Sequence, residues 1–218
     1  MSIRRITVLA SGRGSNLAAL LDAERNGQLG GTIATVISNR IEAPALAIAA
    51  ARGVARIVVD DRVFADRGAF DAALASSIEA SEPDLVVLAG FMRILGTALV
   101  ALYDGRMLNI HPSLLPSYPG LDTHRRALAD GVRIHGCTVH FVTTALDHGP
   151  IVAQGAIAVQ ANDDEVALAA RVLAVEHRLL PAAVRAFCEG RLVIAGHRVH
   201  VRGELVSAAT LEVPTSPV

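Results

Sequence analysis

The chain contains no lysine; all 20 of its basic residues are arginine. That excludes Schiff-base chemistry, pyridoxal phosphate attachment and a P-loop lysine. Any phosphate must then be held by backbone amides, hydroxyls or arginines. Cysteine is almost as scarce. Cys137 and Cys188 lie far apart with no CxxC pair, the pattern of two reduced, partly buried thiols. Aromatic residues make up 3%, so Ala, Val, Leu and Ile must fill the core. No window approaches the ~18 consecutive apolar residues of a membrane span, although residues 43–51 are apolar throughout. Met1 leads within a few residues into a β-type run, without the longer apolar stretch and cleavage site of a secretory signal. A cytoplasmic protein is expected. The net charge of −1 gives no basic surface for nucleic acid or an anionic membrane. His111, His124, His135, His140 and His148 form no HxxxH or HxH pair, so no metal site is expected. Ser113 and Cys137 lack a GxSxG-like context, which argues against covalent catalysis.

At 218 residues and 52% hydrophobic composition, the chain suffices for one substantial domain or two small ones sharing a sheet. Residues 3–10 read as a short apolar strand, Ser11-Gly12-Arg13-Gly14-Ser15-Asn16 as a glycine-rich turn, and 17–26 as an amphipathic helix closed by Gly27. Strands follow at 31–38 and 55–59, with a helix at 44–52 between them. A helix over about 67–80 comes next. Pro83-Asp84 then breaks the chain before the apolar run 85–89. Continuous apolar strands alternating with helices predict a parallel sheet covered on both faces. Ligands bind such sheets beyond the carboxyl ends of the strands, so the loops 11–15, 90–95 and 111–120 should converge on one cleft.

Beyond residue 120 the pattern changes. A short helix at 123–130 precedes strands at 135–142 and 151–159. The longest helical stretch, 163–189, contains Pro181, which is expected to kink or divide it. Residues 191–201 suggest a hairpin turning at Gly196-His197, and the tail after about Glu204 is expected to be loosely attached. The fold class is α/β: a mostly parallel central sheet, helices on both faces, and an antiparallel C-terminal part.

Asn109-Ile110-His111 carries the strongest chemical signal. It lies where an apolar strand runs into the loop Pro112-Ser113-Leu114-Leu115-Pro116. Strand alternation puts Asn109 and His111 on one face. An amide donor beside a histidine suits an oxygen that gains negative charge. A capping or buried structural histidine is the plainer alternative. Asp147 equally fits the start of the turn Asp147-His148-Gly149-Pro150, and spacing does not join it to His111. Gly14, Ser15 and Asn16, at a helix N-terminus, suit a monophosphate; a dinucleotide fingerprint would need glycine at Leu17. Arg67 and Arg93 fit ordinary surface positions, though Arg93 stands among apolar residues at a strand end.

Together the segments Ser11-Gly12-Arg13-Gly14-Ser15-Asn16-Leu17, Leu88-Ala89-Gly90-Phe91-Met92-Arg93-Ile94-Leu95 and Leu108-Asn109-Ile110-His111-Pro112 resemble the glycinamide ribonucleotide transformylases. These are the folate-dependent formyltransferases of purine synthesis. Tyr118-Pro119-Gly120, Val139-His140-Phe141-Val142 and Leu146-Asp147-His148-Gly149-Pro150-Ile151 continue the likeness in order, to about Leu192. The resemblance implies a Rossmann-like formyltransferase fold, with a catalytic domain over 1–192. Its halves would be 1–104 (phosphate-binding) and 105–192 (catalytic and folate-binding), followed by a hairpin and tail at 193–218. It implies formyl transfer from 10-formyltetrahydrofolate, a cosubstrate, to the amine of glycinamide ribonucleotide.

By the same resemblance, Asn109 and protonated His111 stabilise the oxyanion. Asp147 holds the charge on His111 and relays protons through water. Gly14, Ser15 and Asn16 bind the phosphate, and Glu176 the ribose hydroxyls. Arg67, Met92, Arg93, Ile94, Leu95, Asn109, Thr143, Thr144, Ala145, Leu146 and Asp147 line the folate pocket. Thr144-Ala145 stands where acidic residues are common, and Asp122 departs from a histidine found in relatives. The Leu115-Pro116 bond is implied to be cis. The partners are small molecules, with no nucleic acid and no membrane; the chain is expected to be a monomer or homodimer. Two formyl-folate relatives predict otherwise. A deformylase uses water as acceptor and typically carries an N-terminal regulatory domain, whereas this catalytic unit starts close to Met1. A methionyl-tRNA formyltransferase needs a C-terminal RNA-contacting domain and a more basic surface. A non-enzymatic nucleotide-binding regulatory module is a further alternative; Asn109, His111 and Asp147 together argue against it.

Overall fold

The computed structural model describes residues 3–205, so most of the tail lies outside the described residues. The first half comprises β1 (Arg4–Leu9), α1 (Ser15–Arg25), β2 (Gly31–Ser38), α2 (Pro44–Ala51), β3 (Ala55–Val58), α3 (Arg67–Glu79), β4 (Leu85–Leu88) and α4 (Thr97–Leu102). The second comprises β5 (Met107–His111), α5 (Thr123–Ala129), β6 (Ile134–Phe141), β7 (Ile151–Ala158), α6 (Glu165–Cys188), β8 (Leu192–Ala195) and β9 (Arg198–Val201). The predicted elements are present within a residue or two of their expected ends. α4 is an addition: six residues are too short to display a helical period.

All nine strands form one sheet in the order β3-β2-β1-β4-β5-β6-β7-β9-β8. The first five are parallel, and β6 and β7 continue antiparallel. The hairpin β8–β9 docks on β7 through the pair Ile151 and Arg198. Because β1 neighbours both β2 and β4, the loops after β1 and β4 leave the sheet in opposite directions. They open the crevice that this topology provides.

Side-chain alternation divides the core. Ile6, Val8, Val87, Leu108 and Ile110 pack with Leu17 and Leu20 of α1 and Leu168, Val172 and Leu180 of α6. On the other face Leu9, Val86, Leu88 and Met107 pack with Phe70, Leu74 and Ile78 of α3 and Leu99 of α4. Asn109 and His111 follow Met107 on that second face, one strand step further out each time.

Helix ends follow local rules. Asp66 and Asp164 accept from Ala69 and Ala167 backbone N–H at 2.8 and 2.7 Å, capping α3 and α6. α6 passes through Pro181 as one helix, so the predicted division is absent. Leu179, Leu180, Pro181, Ala183 and Val184 are all buried there. Burying a Leu or Val contributes roughly 1.5–3 kcal/mol, and several together outweigh the ~3 kcal/mol cost of an internal proline. The Leu115-Pro116 bond is cis, as the resemblance implied. No described helix is long and apolar enough to cross a membrane.

Candidate active site

The glycine turn after β1 is shaped by crowding. Gly14 has φ +75°, and a Cβ there would lie 2.7 Å from Ala45 Cα of α2. Only glycine allows the turn to sit under α2 and still open α1. No side chain caps α1, so its first N–H groups face a cavity of ≈ 310 Å³ lined by Gly12, Gly14, Ser15, Asn16, His124 and Glu176. Asn16 Nδ2 donates to Glu176 Oε2 at 2.7 Å. Glu176 is 6% exposed, and burial pushes its carboxyl above the usual range while Asn16, His111 and Arg13 pull it back. Asn16 Oδ1 is buried without a hydrogen-bond partner.

A cavity of ≈ 530 Å³ adjoins this one, sharing Asn16, Gly90, Met92, Pro112 and Glu176. Arg67, Met92, Arg93, Ile94, Asn109, His111, Leu146 and Asp147 also face it. Leu95, Thr143, Thr144 and Ala145 instead line a ≈ 90 Å³ recess that Asn109, Leu146 and Asp147 share. The predicted site residues therefore meet in three joined spaces. Asp122 lines none of them. It immediately precedes α5 in a left-handed conformation, makes no side-chain capping hydrogen bond, and pairs with Arg125.

Asn109, His111 and Asp147 converge although spacing could not join them. His111 Nδ1 lies 3.5 Å from Asp147 Oδ2, and His111 Nε2 lies 2.9 Å from the Tyr118 carbonyl oxygen. Each ring nitrogen thus faces an oxygen. Asp147 has φ +50°, and its Oδ2 accepts from Gly120 N–H at 2.8 Å. The loop after β5 thus fixes both the histidine and its carboxylate.

Sequence reasoning missed His140. It stands directly across from Asn109 in the β5–β6 pairing. His140 Nδ1–H donates to the Phe141 carbonyl at 2.9 Å, leaving Nε2 to accept from Asn109 Nδ2 at 3.1 Å. Burial pushes His140 below the ordinary histidine value, which keeps Nε2 an acceptor. The ring therefore settles which way the Asn109 amide points. An alternating strand opposite β5 was the only available signal. His124 and His135 were also missed. Their Nδ1 and Nε2 atoms lie 3.2 Å apart, and burial pushes His135 down to about 4.

Arg67 Nε lies 3.5 Å from Asp71, and Arg93 is held by Asp61 at 3.4 Å and stacks over Phe70. The thiols fit the plain reading: burial pushes Cys137 up to about 12 and Cys188 to about 11. Neither is a thiolate nucleophile at neutral pH.

Comparison with known proteins gives the family. The formyl transferase family model matches residues 4–184. The phosphoribosylglycinamide formyltransferase of Escherichia coli K12 is 48% identical over 187 residues, covering 86% of this chain and 88% of that protein. The crystal structure of glycinamide ribonucleotide transformylase 1 from Symbiobacterium toebii superposes with a TM-score of 0.89 at 49% identity, covering 91% of this chain and 94% of that one. A formyltetrahydrofolate deformylase from Pseudomonas syringae shares the fold, with a TM-score of 0.86, but only 30% identity; this chain is covered to 92% and that one to 66%. The chain belongs to the formyl transferase family and, within it, to the phosphoribosylglycinamide formyltransferases.

Proposed function

We propose that this formyltransferase takes its formyl group from 10-formyltetrahydrofolate and passes it to the primary amine of glycinamide ribonucleotide. The observation that carries the reading is His111, held between the Tyr118 carbonyl and Asp147 beside Asn109, in the larger of two cavities that join at Asn16, Pro112 and Glu176. One cavity offers uncapped helix N–H groups to a phosphate and the Glu176 carboxylate to ribose hydroxyls. The other is walled by Phe91, Met92, Ile94, Leu121 and Leu146. Its ≈ 530 Å³ lies within the roughly 300–1,000 Å³ of small-molecule sites, and its apolar lining fits a flat ring system. Met92 and Ile94 are exposed there, an otherwise unfavourable position for large apolar side chains.

The amine attacks the formyl carbon and a tetrahedral species with an oxyanion forms. The Asn109 N–H not given to His140 donates to that oxyanion, and the adjacent His111 ring, its own N–H groups turned to Tyr118 and Asp147, stabilises it by its positive charge in a site partly shielded from water. Asp147 sustains the charged ring and relays the amine's proton through water to the leaving nitrogen of the folate. Collapse then breaks the bond from the formyl carbon to that nitrogen and expels neutral tetrahydrofolate. The halves 1–104 (phosphate-binding) and 105–192 (catalytic and folate-binding) both reach each cavity: Arg67, Met92, Arg93 and Ile94 of the first line the donor side, and Glu176 of the second lines the phosphate side. Both reactants are small and water-soluble, as a cytoplasmic enzyme requires.

The test is an assay of formyl transfer with and without the ribonucleotide. The wild type is expected to need both reactants, and His111→Ala to lower turnover by about 10²–10³-fold. Formate release at a comparable rate without ribonucleotide would replace this reading with the deformylase one.

A further inference from the structure

The segment 89–96, which walls the larger cavity, contains no helix or strand. Its backbone must be held by something else, and one residue outside it supplies two bonds. Ser11 N–H donates to the Gly90 carbonyl at 3.0 Å, and Ser11 Oγ accepts from Met92 N–H at 2.7 Å. The hydroxyl proton is committed elsewhere, to Asn39 Oδ1 at 2.6 Å. Asn39 is 2% exposed, and its Nδ2 donates to Asp61 Oδ1 at 2.9 Å. A carboxylate only accepts, so the whole series has one direction: Met92 to Ser11 to Asn39 to Asp61.

The series also closes on itself. Asp61 Oδ2 lies 3.4 Å from Arg93 Nη1, the residue after Met92. Arg40, following Asn39, pairs with the same carboxylate. Met92 and Arg93 are thus gripped from two sides by a ring of side chains that follow the ends of β1, β2 and β3. Of these residues, Gly90, Met92 and Arg93 face the larger cavity, and Ser11, Asn39, Arg40 and Asp61 do not.

We propose that Ser11 is a positioning residue for the formyl-donor side of the cleft, acting through Asn39 and Asp61. It holds the Met92–Arg93 backbone so that its outward groups can meet the donor's ring. Met92 N–H is spent on Ser11, so it is not available as a donor to the bound ring. The proposal rests on the reading that formyl-folate occupies the larger cavity. Ser11 immediately precedes the turn assigned to the phosphate, yet its hydroxyl holds Met92, whose neighbours Phe91, Arg93 and Ile94 line the donor side alone. A role limited to general folding would weaken both reactants alike.

The experiment compares wild type, Ser11→Ala, Ser11→Thr and Asp61→Asn in two-substrate kinetics, and records amide exchange at Met92 by NMR. Ser11→Ala is expected to raise KM for 10-formyltetrahydrofolate about tenfold, the upper range for one hydrogen bond. KM for the ribonucleotide should stay within about twofold, and kcat within about threefold. Ser11→Thr should recover most of the loss, while Asp61→Asn should repeat it in part. Met92 N–H should exchange faster in Ser11→Ala with or without ligand, a readout independent of turnover. An equal rise in both KM values, a fall in kcat alone, or unchanged Met92 exchange overturns the proposal. Wild-type protein that turns over neither reactant, while Met92 exchange still responds to Ser11→Ala, overturns the functional reading and leaves the positioning role standing.

Discussion

Glu176 is a carboxylate held where water scarcely reaches it, and its burial is a cost that binding must justify. Its raised pKa means that its contribution to folding is fullest below about 4.5 and is lost as pH rises through the folded value. Glu176→Gln removes that loss, so the variant is expected to melt higher than wild type at pH 7–8. The difference should vanish toward pH 4. The same variant should raise KM for the ribonucleotide, since a neutral amide is a poorer acceptor for ribose hydroxyls. A lower melting temperature at pH 8 would contradict this account of the site. Asp147→Asn keeps the shape but removes the charge facing His111. It is expected to lower kcat by about 10²-fold or more while ribonucleotide binding, measured by calorimetry, changes little. Loss of binding with kcat unchanged would take Asp147 out of the chemistry. At this scale the sequence was partly legible. Asn109 and His111 could be paired because a strand repeats every two residues. Asp147 could not, because a loop carries no period. The Tyr118 carbonyl on His111 left no trace at all, since every residue type has one.

Among elements, the turn between β1 and α1 is the least tolerant. Gly14→Ala meets two obstacles, a left-handed φ and backbone of α2 at 2.7 Å. The first alone costs about 1 kcal/mol or more; the second forces α2 or the turn to move. The variant is expected to lose at least ~2 kcal/mol of stability in urea titration and to bind the ribonucleotide far more weakly. Full retention of both would mean that the turn is more compliant than its packing suggests. Strands were legible here because both faces are covered, which leaves uninterrupted apolar runs such as Leu85-Val86-Val87-Leu88. α4 escaped notice for want of length. Pro181 does not divide its helix, because the propensity rule describes an isolated helix, whereas α6 is clamped along a sheet.

For the molecule as a whole, acid is the expected weakness. Burial lowers His135 to about 4 and also lowers His124, His140 and His177. A histidine with a depressed folded pKa adds stability that is complete above about 6.5 and lost as pH falls through the folded value. The urea midpoint should therefore fall between pH 7 and pH 5, and His135→Gln should flatten that slope; an unaltered slope removes His135 from the account. The α/β class was legible from alternation, but the position of β9 beside β7 was not, because one residue pair makes that contact. Nor was the seam at β5, which pairs parallel with β4 and antiparallel with β6. That seam gives the catalytic strand an unusual dependence. Asn109 takes its orientation from His140 across it, so a slip of one residue between β5 and β6 would turn His140 to the wrong face. A misassembled sheet would remain compact yet be silent, and turnover per molecule becomes a gauge of how many chains in a refolded sample have zipped true.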